Sequence, residues 1–229
     1  MSVLRFDSVN KTYPGGRTAL AGVSFELAQG EMAFATGHSG AGKSTILKLI
    51  HLTERPSSGE VLYAGRNLSR VRSAADIARH RQQVGVVFQD HRLLAERTVA
   101  DNVGLPLVVR GVGSAEIARR TREVLERMGL ADRLRALPAE LSAGEQQRVG
   151  IARAVVAEPP LLLADEPTGN LDPTLAAEIM ELLAELPGRG TSVLVVSHDL
   201  ALIKQMRRRV LVLDQGELVD DISPQDLAE

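Results

Sequence analysis

Residues 31–50 read EMAFATGHSGAGKSTILKLI, and three textures succeed one another within them. EMAFAT (31–36) is an apolar run of strand length, GHSGAG (37–42) is half glycine, and the segment from Lys43 resumes with helical spacing. Residues 37–44 match the pattern G-x-x-x-x-G-K-[ST], and they stand where its mechanism requires, after a strand and before a helix. Gly37, Gly40 and Gly42 let successive backbone N–H groups turn inward around phosphate oxygens. His38, Ser39 and Ala41 fill the loop between them, and the helix end beyond adds partial positive charge. Lys43 is then expected to reach the β and γ phosphates of a nucleotide and Ser44 to ligate Mg²⁺, with Thr45 closing the motif.

Outward from this unit the same alternation continues. VGVVF (84–88), LLLAD (161–165) and SVLVVS (192–197) are further short apolar runs separated by helix-like segments, which predicts an α/β core with a mostly parallel sheet covered on both faces. Before it, LRFDSV (4–9) and VSFELA (23–28) flank the turn-forming Pro14-Gly15-Gly16 and read as an antiparallel β subdomain. Between Phe88 and Leu161 no convincing strand is found. Helical periodicity in SAEIARRTREVLERMGL (114–130) and EQQRVGIARAVVAE (145–158) predicts an inserted α-helical subdomain there. One domain of residues 1–229 is expected, with 1–88 and 159–229 as core and about 89–158 as helical insertion. RRVLVLDQGELVDDI (208–222) reads as a hairpin turning at Gln215-Gly216, and SPQDLAE (223–229) as the start of a last short helix.

Bulk composition narrows the function class. Lys plus Arg number 27 against 29 Asp plus Glu, and a net charge of −2 lacks the basic footprint of a nucleic-acid binder. With no cysteine, disulfides and thiolate metal sites are excluded. The N-terminal MSVLRFDSVNKTY alternates instead of presenting a basic patch and an apolar run, so a cytoplasmic location is expected. The longest apolar runs, LPLVV (105–109) and PPLLLA (159–164), are far shorter than a membrane span, and any membrane contact is expected through a partner.

A phosphate site also needs an acid to hold its metal, and LLLADE supplies two at a strand end: Asp165 for Mg²⁺ and Glu166 to orient or deprotonate an attacking water. LSAGEQQ (141–147) opens a helix, where Ser142 and Glu145 form a capping box.

Taken in order, GHSGAGKST, Gln89 after VGVVF, LSAGEQQ, LLLADEP, NLD (170–172) and His198 after VLVVS resemble the ABC ATPase family along almost the whole chain. The resemblance implies a P-loop NTPase fold that binds ATP with Mg²⁺ and hydrolyses it to ADP and phosphate. By the same likeness Gln89 contacts Mg²⁺ and the attacking water, His198 contacts the γ-phosphate, and Tyr13 stacks on adenine. Two chains close on ATP as a homodimer. Ser142, Gly144, Glu145 and the helix start behind them then face the nucleotide of the opposite chain, and Asp172 crosses the interface. The family usually has Gly-Gly-Gln where this chain has Ala143-Gly144-Glu145. Ala143 is expected to be tolerated, whereas Gly144 is read as the residue allowing close approach to phosphate.

His38 within the loop and VGVVFQDHRLLAERTVADNVGLPL (84–107) are similar to the cell-division branch of the family. That likeness implies an FtsX-like integral membrane partner docking near Gln89 and residues 91–103, at the cytoplasmic face of the bacterial inner membrane and the division septum. The related branches serve lipoprotein release or macrolide-type efflux. A slow nucleotide-gated scaffold is a further alternative, and repair-type ABC ATPases are disfavoured by the short interval between phosphate loop and LSAGE.

Overall fold

The computed structural model describes residues 1–169 and 171–226. Strands β1 (Ser2–Thr12) and β2 (Thr18–Ala28) form the expected hairpin around Pro14-Gly15-Gly16. The chain then crosses to β3 (Met32–Thr36), passes through the glycine loop and enters α1 (Lys43–Ile50). A second hairpin, β4 (Ser58–Tyr63) and β5 (Arg66–Asn67), follows, then α2 (Ala74–Arg81) and β6 (Val84–Val87). Three helices come next: α3 (Val99–Val109), α4 (Ser114–Arg127) and α5 (Ala143–Val155). The chain closes with β7 (Leu161–Asp165), α6 (Pro173–Ala184), β8 (Ser192–Val196), α7 (Leu200–Met206), β9 (Arg209–Asp214) and β10 (Glu217–Ile222).

Among the described residues the strands make two sheets. One is antiparallel with order β2-β1-β4-β5; the other has order β10-β9-β3-β8-β7-β6 and is parallel except for β10 against β9. The fold class expected from the sequence is thus observed. The β4–β5 hairpin was not anticipated: its turn is Ala64-Gly65 with both residues at positive φ (46° and 77°), and Ala is not a residue that signals a left-handed turn. The Gln215-Gly216 turn between β9 and β10 stands where expected. Of the last helix expected over 223–229, a turn through Ser223–Asp226 is described and residues 227–229 lie outside the described residues.

Side chains on β3 show how the parallel sheet is covered. Met32 and Phe34 point into a cluster with Val103, Leu125, Val149 and Ile179 from the helices on one side. Ala33 and Ala35 point the other way, into a cluster with Ile46 and Ile50 of α1 and with Leu4, Leu20 and Leu27 of the antiparallel sheet. All five residues of β3 and of β8 are buried, as expected of near-continuous apolar strands covered on both faces. β3, β6, β7 and β8 run in one direction, so their C-terminal ends meet at one edge of the sheet.

Candidate functional site

At the end of β3 the chain turns into a loop that only glycine can build at three points. Gly37, Gly40 and Gly42 have φ of 148°, 85° and 110°, and Gly42 is the residue before α1. A Cβ on Gly37 would run into the Leu213 carbonyl, and one on Gly42 would lie 2.6 Å from the Ala19 carbonyl, so both are also pressed against neighbouring backbone. Lys43 folds back over this loop, donating from Nζ to the carbonyls of Gly37 at 2.7 Å and His38 at 2.9 Å. An ammonium held only by neutral carbonyls can transfer to phosphate oxygens, which are stronger acceptors.

The loop forms one wall of an open cavity of about 880 Å³. Across it stand residues from the ends of the parallel strands: Gln89 beyond β6, Asp165 and Glu166 at the end of β7, and His198 beyond β8. Ser39, Ser44 and Thr45 line the loop side, while Tyr13, Pro14 and Arg17 close the rim from the β1–β2 turn. A volume of this size takes a nucleotide-sized ligand. Sequence reasoning missed Arg17 and Lys48, both of which add positive charge to the lining. Neither belongs to a motif.

Glu166 is the most constrained of these side chains. Its backbone is left-handed (φ 47°), its N–H donates to the Val196 carbonyl of β8 at 2.9 Å, and its carboxylate Oε1 lies 2.8 Å from Nδ1 of His198. Its side chain is 15% exposed and that of His198 69%, so the pair presents an open imidazole backed by a shielded carboxylate. Burial, and next the adjacent Glu166 carboxylate, push Asp165 above its ordinary pKa; Lys48, Lys43 and the Ser44 hydroxyl pull it back. Gln89 joins this group from β6, since a Cβ on Gly169 would lie 3.4 Å from its Nε2.

The donor set suits magnesium. The Ser44 hydroxyl, the Gln89 amide oxygen and the Asp165 carboxylate are hard oxygen ligands, and two adjacent shielded carboxylates leave excess negative charge for a divalent cation to offset. Among the described residues no three His, Cys, Asp or Glu side chains cluster as a metal cage.

Other expected residues lie off this wall. Tyr13 is half-buried at the cavity rim; its hydroxyl is 3.4 Å from Thr45 Oγ1 and Lys11 Nζ lies 4.8 Å from its ring centroid. Asp172 caps α6 within its own chain, accepting from the N–H groups of Thr174 and Leu175 at 3.1 Å each. Asn170 of the NLD segment lies outside the described residues.

The helix start at 142 is built as a capping box. Ser142 Oγ accepts from Glu145 N at 3.2 Å, Glu145 Oε2 accepts from Ser142 N at 2.8 Å, and Arg133 Nε holds the other Glu145 oxygen at 3.1 Å. Glu145 is accordingly held below the usual carboxylate range, chiefly by the Ser142 N–H. Ser142 and Ala143 are exposed, but Gly144 is buried. A Cβ on Gly144 would run into the Leu175 side chain of α6. The structure therefore supplies a reason for glycine within the chain, different from the close approach to phosphate read from the sequence.

Two further side chains tie this helix to the cavity. Gln147 donates from Nε2 to the Pro167 carbonyl, just beyond Glu166, at 2.5 Å. Arg153 donates to the carbonyls of His91 at 2.5 Å and Arg92 at 2.8 Å, fastening the segment after Gln89, where both residues have positive φ. Helix α3 starts at Val99, beyond this segment, capped by Thr98 and Asp101.

The model of the ABC transporter family matches residues 20–169. The cell division ATP-binding protein FtsE of Escherichia coli K12 is 50% identical over 216 residues, covering 94% of this chain and 97% of that protein. FtsE of Haemophilus influenzae is 46% identical over 217 residues, covering 94% and 99%. Among solved structures, the ATP-binding cassette MJ0796, in a dimeric post-hydrolysis state bound to ADP and Pi, superposes with a TM-score of 0.87 at 33% identity, covering 96% of this chain and 98% of that one.

Proposed function

Because the chain belongs to the ABC transporter family and is an ATPase, we propose that it is the ATP-hydrolysing subunit of an FtsE–FtsX-like complex. In this reading two copies close on two ATP molecules beneath the membrane partner, at the cytoplasmic face of the inner membrane and the division septum. Hydrolysis reopens them, and the cycle drives septal peptidoglycan hydrolysis across the membrane through the partner. Residues 1–88 and 159–229 serve as the catalytic core and about 89–158 as the helical subdomain.

The observation that carries the hydrolytic reading is the Glu166–His198 pair, 2.8 Å apart and facing the phosphate loop across one cavity. Water attacks the γ-phosphorus in line, a P–O bond forms, and the bond to the β–γ bridging oxygen breaks. Glu166 accepts the proton of that water, and His198, oriented by Glu166, meets the γ-phosphate oxygens. Lys43 leaves the Gly37 and His38 carbonyls for the β and γ oxygens, and Gln89 orients the water. Ser44, Gln89 and Asp165 would hold Mg²⁺, which supplies charge neutralisation on the phosphates when bound. Tyr13 offers its ring to adenine. Ser142, Glu145 and Asp172 act across the dimer, and the MJ0796 dimer with ADP and Pi supports that arrangement.

A second cavity supports the partner. Val86 of β6, Phe88 just after it, Leu105 and Val109 of α3 and Ala154 of α5 line an apolar groove of about 410 Å³; Val109 is 60% exposed, and its chain neighbour Val108 57%. Phe88 lines this groove while its neighbour Gln89 lines the nucleotide cavity, so an element seated in the groove touches the segment that ends in Gln89. ATP turnover of the purified complex with the partner tests the chemistry. Glu166→Gln should lower it at least about a hundredfold with ATP binding retained, and unchanged turnover removes Glu166 as the base. Pull-down from bacterial membranes should recover an FtsX-like protein; recovery of a lipoprotein-releasing permease would replace the cell-division reading and leave the ATPase standing.

A further inference from the structure

His38 lies in the first turn of the phosphate loop and takes no part in the hydrolytic step. Its ring sits between two oxygens: Nδ1 is 2.7 Å from the Ser39 carbonyl and Nε2 is 2.7 Å from Oδ1 of Asp214. A carbonyl and an ionised carboxylate only accept hydrogen bonds, so both contacts hold together only when each ring nitrogen carries a proton. The geometry is that of an imidazolium.

Each contact acts on the loop. A trans peptide is planar, so the Ser39 carbonyl and the Gly40 N–H point in opposite directions. Holding that carbonyl on the imidazole fixes the Gly40 N–H facing the other way, and Gly40 lines the nucleotide cavity. Asp214 ends β9, and in the turn after it Gly216 donates to the Ala41 carbonyl at 3.1 Å and accepts from the Ala21 N–H at 2.8 Å. The β9–β10 turn therefore holds the loop at two points, by backbone at Ala41 and through His38 at its start.

We propose that His38, as an imidazolium bridging Ser39 and Asp214, is a positioning residue that sets the phosphate loop for the triphosphate, so that nucleotide affinity falls as His38 loses its proton. This rests on the nucleotide-binding reading of the loop. Loss of the proton leaves one ring nitrogen lone pair facing an oxygen, which breaks one contact and frees either the peptide or the anchor. The charged groups around the ring are Asp214 from β9, Lys43 from α1 and, over Gly40, Arg17 from the β1–β2 turn. The hydrogen bond to the Ser39 carbonyl, then that to Asp214, raise the His38 pKa above its ordinary value, against burial and the Lys43 charge. The protonated form, and with it the tighter loop, thus persists toward neutral pH and is lost above that raised value.

The test is titration of the full chain with a fluorescent ATP analogue and magnesium from about pH 6 to about pH 8.5. Wild type, His38→Gln, Asp214→Asn, the double variant and Lys43→Ala are compared; the nucleotide's own titration is common to all. Wild-type affinity should fall about threefold to tenfold more over this range than that of His38→Gln. Asp214→Asn should move the midpoint to lower pH, and the double variant should match His38→Gln. The imidazole resonance of His38, followed by NMR, should titrate at the same midpoint. A His38→Gln protein with the full wild-type slope, or Asp214→Asn with an unmoved midpoint, overturns the proposal. If Lys43→Ala binds nucleotide as wild type does, the failure belongs to the phosphate-loop reading itself.

Discussion

Replacing Gly144 by Ala puts a methyl group where a Leu175 methyl already lies, and the consequence can be worked out. The position is buried at the start of α5, and Leu175 is half-buried in the first turn of α6, so the leucine has some room to give. Overpacking of this kind costs about 1–3 kcal/mol. The exchange of Gly for Ala in a helix returns at most about 1 kcal/mol, and less in a first turn. Net destabilisation of about 1–2 kcal/mol is expected, or a melting temperature lower by about 2–8 °C for a chain of this length. Leu175→Ala alone removes a half-buried side chain and should cost a similar amount, but in the double variant it vacates the space the new methyl needs. Urea unfolding of the four proteins without nucleotide then gives a favourable coupling of at least about 1 kcal/mol. An additive cycle, or a Gly144→Ala protein as stable as wild type, would refute the packing account. The same proteins answer the functional question: ATP-driven dimerisation, followed by light scattering in a Glu166→Gln background, should be weakened by Gly144→Ala and restored in the double variant.

Three further outcomes are expected. Asp165 has a raised pKa in the folded chain, so its ionisation opposes folding: the penalty is absent below the unfolded value of 3.8 and complete above the folded one. Asp165→Asn should therefore raise the nucleotide-free melting temperature at neutral pH, lose that gain in acid, and lose magnesium-dependent stabilisation by ATP. His51 is lowered from 6.5 to about 4 by burial first, then by the Arg81 and His80 charges, so its contribution to stability is present above 6.5 and lost as pH falls toward 4. Acid titration of stability should show a loss on the order of 3 kcal/mol over that window, flattened in His51→Gln. Arg153→Met removes both donors to the His91 and Arg92 carbonyls and should destabilise by about 2–4 kcal/mol in urea unfolding, with proteolysis of the loose 91–98 segment preceding that of the core.

Much of this molecule is legible along the chain because its signals are local. EMAFAT, the glycines and the helix after them are contiguous, and each later strand carries its own apolar run with its functional residue just past the end. Once Gln89, Glu166 and His198 are each placed after a parallel strand, the sheet brings them together at one edge without any further information. β4 and β5 escaped because β4 pairs with β1, across the whole phosphate-loop unit, and its own turn uses Ala64 at positive φ.

Four of the side chains whose contacts sequence reasoning could not supply share a physical cause: the partner is a backbone carbonyl. Gln147 reaches Pro167, Arg153 reaches His91 and Arg92, and Lys43 and His38 reach carbonyls of their own loop. Every residue has a carbonyl, so no residue type marks the accepting position, and only the fold decides which carbonyl lies within reach. The consequence runs in one direction. Side chains at the accepting positions can change while the contact survives, whereas the donors Gln147 and Arg153 cannot be exchanged without freeing a segment beside Glu166 or Gln89. Both donors lie on α5, whose first turn begins at Ser142. In the proposed cycle, a shift of that helix on dimer closure would reach the segments beside Glu166 and Gln89 through these same bonds.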